Sequence, residues 1–140
     1  MLIYSMEHYM GKCAPYVYVM LRIIAGLMFA AHGAQKVFGM FGNPHPGISL
    51  ASMMGIGGII ELVGGVLIAF GFLASYAAFI ASGEMAVAYF MVHFPKSFFP
   101  IVNKGELAVL FCFVFLYIAV HGSGAWSIDH LIKPSPKNKK

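Results

Sequence analysis

Four apolar stretches, at about residues 16–37, 54–72, 76–94 and 106–121, dominate the chain, and the segments between them are short and broken by glycine and proline. Each stretch approaches the roughly 20 residues an α-helix needs to cross about 30 Å of hydrocarbon. The pattern predicts an all-α membrane protein, a four-transmembrane-helix antiparallel bundle forming one domain over residues 1–140. Residues 1–13 are mixed in character and read as an interfacial arm, after which Pro15 suits the first turn of a helix. GMFGNPHPGISL, with three Gly and two Pro, ends the first span, and GFLAS joins the second to the third. The aromatic and proline-rich HFPKSFFPIVNKG fits headgroup depth. In GSGAWSIDHLI, Trp126 reads as an interface anchor and Ser127 as the N-cap of a short terminal helix.

Composition agrees with this pattern. Hydrophobic residues make up 60% and charged residues 10%, where soluble domains carry about 25% charge, and the mean hydropathy is +0.82. The formal charge of +4 would suggest nucleic acid in a soluble protein. Here the tail, residues 133–140, concentrates Lys133, Lys137, Lys139 and Lys140, which favours anionic lipid and places both termini in the cytoplasm. Lys36, Lys96 and Lys104 in the opposite loops act against that bias. Cys13 and Cys112 lie too far apart in sequence for a CxxC motif or a disulfide framework. The apolar run 14–31 is longer than the core of a signal peptide.

The polar residues inside the spans carry the functional information, since a charge at a bilayer centre costs about 2.5–3.5 kcal/mol. The first span holds Arg22 and, near its end, His32, Gln35 and Lys36; the second holds Glu61 and the third Glu84. Gly57, Gly58, Gly64 and Gly65 flank Glu61 at helical spacing and suit close helix packing. Counting depth at about 1.5 Å per residue brings His32, Gln35, Lys36, Glu61, His93 and Glu106 to one half of the bundle. Arg22 falls toward the other face with Glu84 between, so an internal Arg22–Glu84 ion pair is expected. Plainer readings stand beside these: hydrogen-bonded packing carboxyls, a snorkelling Lys36, and solvated His93 and Glu106.

No metal site is expected, because neither glutamate has the histidine three residues on that carboxylate di-metal bundles use. On an ideal helix His93 also points about 180° from Glu84. There is no phosphate loop and no dinucleotide fingerprint. A polar pocket closed by apolar helices remains. It would suit an amphiphile such as a quinone, whose carbonyls would accept hydrogen bonds from His32, Gln35 or Lys36. A proton or small-solute conduit along Glu61, Glu84 and Arg22 is the alternative, and a structural or assembly subunit is another.

Arg22 with GLMFAAHGAQKVFGMFG, then GIIELVGGVLIAFG, His93 with KGELAVLF, and GSGAWSID together resemble the DoxX family of small four-helix membrane proteins, from about Arg22 to Asp129. The resemblance implies a bacterial or archaeal plasma-membrane protein. Its characteristic positions fall on Arg22, His32, Gln35, Lys36, Glu61, Gly64, Gly65, His93, Glu106 and Asp129. It also implies a redox setting, through subunits associated with thiosulfate:quinone oxidoreductase and terminal quinol oxidase, with a further redox subunit or a second copy of the chain as partner. The larger thiosulfate-oxidising relatives have an additional domain, so a direct thiosulfate reaction is not expected of this chain.

Overall fold

The computed structural model describes residues 2–42 and 48–132, with side chains from Met6 onward, and in this part of the chain every regular element is helical. Part of the first loop and the basic tail, on which the cytoplasmic placement of the termini rests, lie outside the described residues. Helix α1 spans Leu2–Phe38, α2 Met53–Phe70 and α3 Ala74–Ala88. The last runs on through a π turn, Tyr89–His93, and a 3-10 turn, Phe94–Lys96. A single turn α4 (Pro100–Asn103), α5 (Glu106–His121) and a short α6 (Ile128–Ile132) complete the chain. In the bundle α1 packs on α2, α2 on α3 and α3 on α5.

Three segments, Met6–Phe38, Met53–Phe70 and Ala74–Lys96, are long and apolar enough to cross a bilayer. The expected fourth span is equally apolar but has 16 residues, about 24 Å of helix. Gly105 and Gly122 bound it, so among the described residues three helices have membrane length and a shorter apolar helix occupies the range expected of the fourth span. The expected N-terminal arm is corrected: it is continuous with α1, and Pro15 lies inside the helix. Its missing N–H leaves the Gly11 carbonyl without a helical partner, a defect tolerated here because burial along α1 begins only at Tyr18.

The closest helix contact is a crossing of bare backbones. A Cβ on Gly26 would stand 2.7 Å from the Gly65 carbonyl oxygen, and one on Gly33 would stand 2.6 Å from that of Gly58. Glycine at 26, 33 and 65 lets α1 and α2 touch main chain to main chain, the usual packing device where water supplies no driving force between helices, while Gly58 makes room for the Lys36 stem. The other two expected packing glycines behave differently. A Cβ added to Gly57 would stand 3.2 Å from Glu84 Oε1, and one added to Gly64 would stand 3.9 Å from the Phe29 ring.

Helix α2 is closed at both ends by local chemistry. The Ser52 hydroxyl accepts from the Gly55 N–H at 3.1 Å, and Gly71 in the left-handed conformation ends the helix with bonds from its own N–H to Ile68 and from Phe72 to Leu67. That sharp stop turns the chain into α3 within three residues. At mid-bundle the Phe111 and Phe115 rings stack with centroids 5.3 Å apart, and the Phe29 ring meets Phe115 at 4.6 Å. This buried aromatic layer separates two polar regions.

Candidate functional site: a polar cavity at one end of the bundle

Where α1 and α3 end and α2 and α5 begin, the helices leave a cavity of about 760 Å³. Its polar groups are His32, Lys36, Glu61, Glu84, His93 and Lys104, set among Phe29, Met53, Met85, Met91, Leu107 and Phe111. Ile56 of α2, Ile80 and Val87 of α3, Met91 of the π turn and Leu107 of α5 line the cavity and are themselves exposed.

Glu61 is 3% exposed, and its Oε1 accepts from the Lys36 ammonium at 2.7 Å. The Lys36 stem reaches it by passing over Gly58, where an added Cβ would stand 2.9 Å from the lysine Cβ. Lys36 thus spans the α1–α2 crossing as the partner of a buried carboxylate, and does not snorkel. Glu61 Oε2 is buried without a hydrogen-bond partner, as is Glu84 Oε2. Glu84 sits beside Gly57, within electrostatic range of Glu61 and Lys36.

The expected Arg22–Glu84 pair is not formed. Helix α2 ends at Phe70 and α3 starts at Ala74, each two residues earlier than the hydropathy pattern places them. Glu61 then lies nine residues before the end of α2 and Glu84 ten residues into α3, so the two carboxyls come level. Fully buried Arg22 serves the opposite end of the bundle. Its guanidinium donates to the Ser123 carbonyl, to Trp126 at 2.9 Å, and at longer range to Ala69 and Ala125. There Tyr18 donates to the Gly122 carbonyl, and Asp129 accepts from the Leu73 and Ala74 N–H groups and from the Ser123 hydroxyl. Asp129 so caps α3, whose N-cap Leu73 offers no side-chain acceptor. The Ser127 hydroxyl caps α6 through His130 N–H at 3.1 Å, as its sequence position suggested.

His93 reaches the cavity because the helix changes pitch. Across Tyr89–His93 the Phe94 N–H bonds to the Tyr89 carbonyl, five residues back. This π turn rotates the downstream residues relative to an ideal α-helix, so Glu84 and His93 line one cavity although the ideal repeat sets them on opposite faces. His93 Nδ1 meets the Asn103 carbonyl at 3.1 Å. A carbonyl only accepts, so Nδ1 carries a proton and donates it.

Two of the six expected pocket residues are elsewhere. Gln35 Nε2 donates to the Gly42 and Phe41 carbonyls at 3.1 and 3.4 Å, tying down the turn after α1. Glu106 is exposed in the first turn of α5, where a carboxylate suits the helix dipole. His32 lies at the wall with its ring edge-on to Phe111. Conversely, the structure adds Glu84, Lys104 and, behind them, Asn103. Asn103 is 3% exposed and bonds the Ser97 carbonyl, the Tyr89 hydroxyl and the Gly105 N–H. The NKG tripeptide at 103–105 marks a turn in the sequence, but nothing in it announces this hub.

Apolar helices of membrane length around a buried polar cavity define a multi-pass helical membrane protein. A DoxX family model matches residues 17–94, more than half the chain, and the chain belongs to the DoxX family. That match contains Arg22, His32, Lys36, Glu61, Glu84 and His93, whereas Lys104, Glu106 and Asp129 lie beyond it. The chain is 39% identical over 132 residues to a Haemophilus influenzae protein described as "Uncharacterized protein", with 85% of this chain and 92% of that one covered. It is 29% identical over 123 residues to "Putative oxidoreductase CatD" of Bacillus subtilis, with 86% and 90% covered. No solved structure matches the chain significantly.

Proposed function

We propose that this is a quinone-linked redox subunit of the bacterial or archaeal plasma membrane. The observation that carries the reading is the cavity: charged and imidazole groups set in an otherwise apolar chamber. Its volume of about 760 Å³ lies in the range of small-molecule sites. Its construction matches an amphiphile with a polar ring and an apolar tail. A quinone supplies two-electron, two-proton carriage. Glu61, Glu84, His32 and His93 would hold its head group, while Met85, Met91 and Phe111 would meet its ring and tail. A relative named as an oxidoreductase adds weak support.

In this reading α5 is the fourth crossing, with α4 and the turn after His121 making up the missing thickness. Both termini lie in the cytoplasm, and a partner subunit, or a second copy of the chain, completes the electron path. The conduit reading is less favoured, since the Phe29, Phe111 and Phe115 layer lies between the cavity and Arg22. The test is a titration of lipid-reconstituted protein with a short-tailed quinone in both redox states. Saturable retention that Glu61→Gln or His32→Ala weakens is expected. No retention of either form would refute the proposal, and a stable protein partner recovered without any quinone would point to an assembly subunit.

A further inference from the structure

Helix α1 runs well past the bundle it belongs to. Its residues 18–38 pack in the bundle and make about 31 Å of helix, already the thickness of a hydrocarbon core. Residues 2–17 extend it by about 24 Å, and every side chain from 6 to 17 is exposed. Helices α2, α3 and α5 have only 18, 15 and 16 residues. The bonds joining Arg22 to Ala69, Asp129 to Ala74 and Tyr18 to Gly122 mark the level at which those three helices end or begin. A helical extension of this length that contains Gly11 and Pro15 is marginal by itself in water.

The exposed apolar residues of this part of α1 are ordered. Met6, Met10, Cys13, Val17, Met20 and Ile24 follow one another at alternating steps of four and three. At about 100° per residue they form a strip about 80° wide, centred about 180° from Val19, Arg22, Gly26 and Phe29, which face the bundle. The strip therefore points away from this chain's own core. Cys13 is exposed, and the other five are 53–65% exposed. Glu7, His8, Gly11 and Lys12 lie off the strip. Steps of four and three are the a and d seam of a coiled coil, which packs against a helix bearing the same repeat. At the a positions, Met10, Val17 and Ile24, two of three residues are β-branched, while Met6, Cys13 and Met20 at d are not, an order that favours two parallel strands. Copies inserted alike in one membrane hold their α1 helices parallel, and α1 is the one helix of the described residues that extends this far. We propose that α1 pairs with α1 of a second copy along this seam, from Ile24 in the lipid out to Met6 beyond the bundle. Such a contact is isologous, with the two Cys13 side chains meeting at the two-fold axis. Outside the lipid it removes the seam from water, and inside the lipid it acts through packing. The surface is separate from the cavity, and the pairing holds whatever the cavity binds.

The test is cysteine crosslinking of the full chain in liposomes at high lipid-to-protein ratio, with Cys112→Ala removing the second thiol. Copper phenanthroline and oxygen take two electrons and two protons from a pair of thiols and leave one disulfide. Cys13 is expected to give a covalent dimer of twice the chain mass. In a Cys13→Ser background, Val17→Cys on the seam should crosslink about as fast as Cys13, and Lys12→Cys off the seam about tenfold more slowly. Met10→Glu sets two carboxylates against each other in the seam and should weaken the dimer about tenfold, read as single-step photobleaching of labelled chains. Met10 is exposed outside the bundle, so the single chain still folds. Equal crosslinking at positions 12, 13 and 17, a dimer indifferent to Met10→Glu, or a parent chain that bleaches in one step at every lipid dilution overturns the proposal.

Discussion

Adding one methyl group at Gly33 should damage this protein more than most larger changes on its surface. A Cβ there would lie against the Leu62 amide and 2.6 Å from the Gly58 carbonyl oxygen. Both are backbone atoms of α2, so no side chain can swing aside. Ordinary contact begins near 3.4 Å; clearing the carbonyl oxygen alone requires α1 and α2 to part by about 0.8 Å, and the closer Leu62 amide requires more. Overpacking of this kind costs about 1–3 kcal/mol. A gap of that size also forfeits a quarter to a half of the dispersion well for each flanking atom pair. The gain in helix propensity from glycine to alanine, about 1 kcal/mol, offsets part of this and leaves a net loss of about 1–2 kcal/mol. The assay is reversible unfolding in mixed detergent micelles, followed by circular dichroism, with Gly83→Ala as the matched control. Gly83 lies in α3 with nothing within 4 Å of an added Cβ, so the same substitution there should stabilise by about 0.5–1 kcal/mol. Gly33 is one turn from Lys36, and parting the helices should also loosen the Lys36–Glu61 bridge. A Gly33→Ala protein as stable as the parent would refute the backbone-contact account of the α1–α2 crossing.

Other substitutions probe the two polar ends separately. Arg22→Lys keeps the charge but loses the planar fork that reaches the Ser123 and Trp126 carbonyls together. Unfolding should become easier by about 2 kcal/mol, while ligand retention in the distant cavity should change little. Asn103→Ala strips the Gly105 N–H and the Ser97 carbonyl of their partners, at about 1–3 kcal/mol. Amide exchange at Gly105 should accelerate, and an unchanged rate would show that Asn103 is not holding the turn that positions His93.

The membrane environment and most of the helices are written along the chain. Apolar runs punctuated by glycine and proline locate the helices to within a few residues except at the start of α1, which begins at Leu2, because burying backbone in lipid leaves helix as the way to satisfy every N–H and C=O. Isolated charges in those runs single out Lys36 and Glu61, with a snorkelling Lys36 as the plainer reading, and the folded chain pairs the two with each other. How these residues are matched emerges only on folding. Two residues of difference in where α2 stops and α3 starts bring Glu84 level with Glu61, and a Schellman turn at Gly71, not hydropathy, sets that boundary. Hydropathy is blind to helix pitch, so only the folded chain reveals the π turn that swings His93 into the chamber with Glu84. Arg22 looked like a partner for a carboxylate, yet the turn at Gly122–Trp126 folds its carbonyls back over the guanidinium from a hundred residues away. Pairing at that separation depends on packing, which local pattern does not encode.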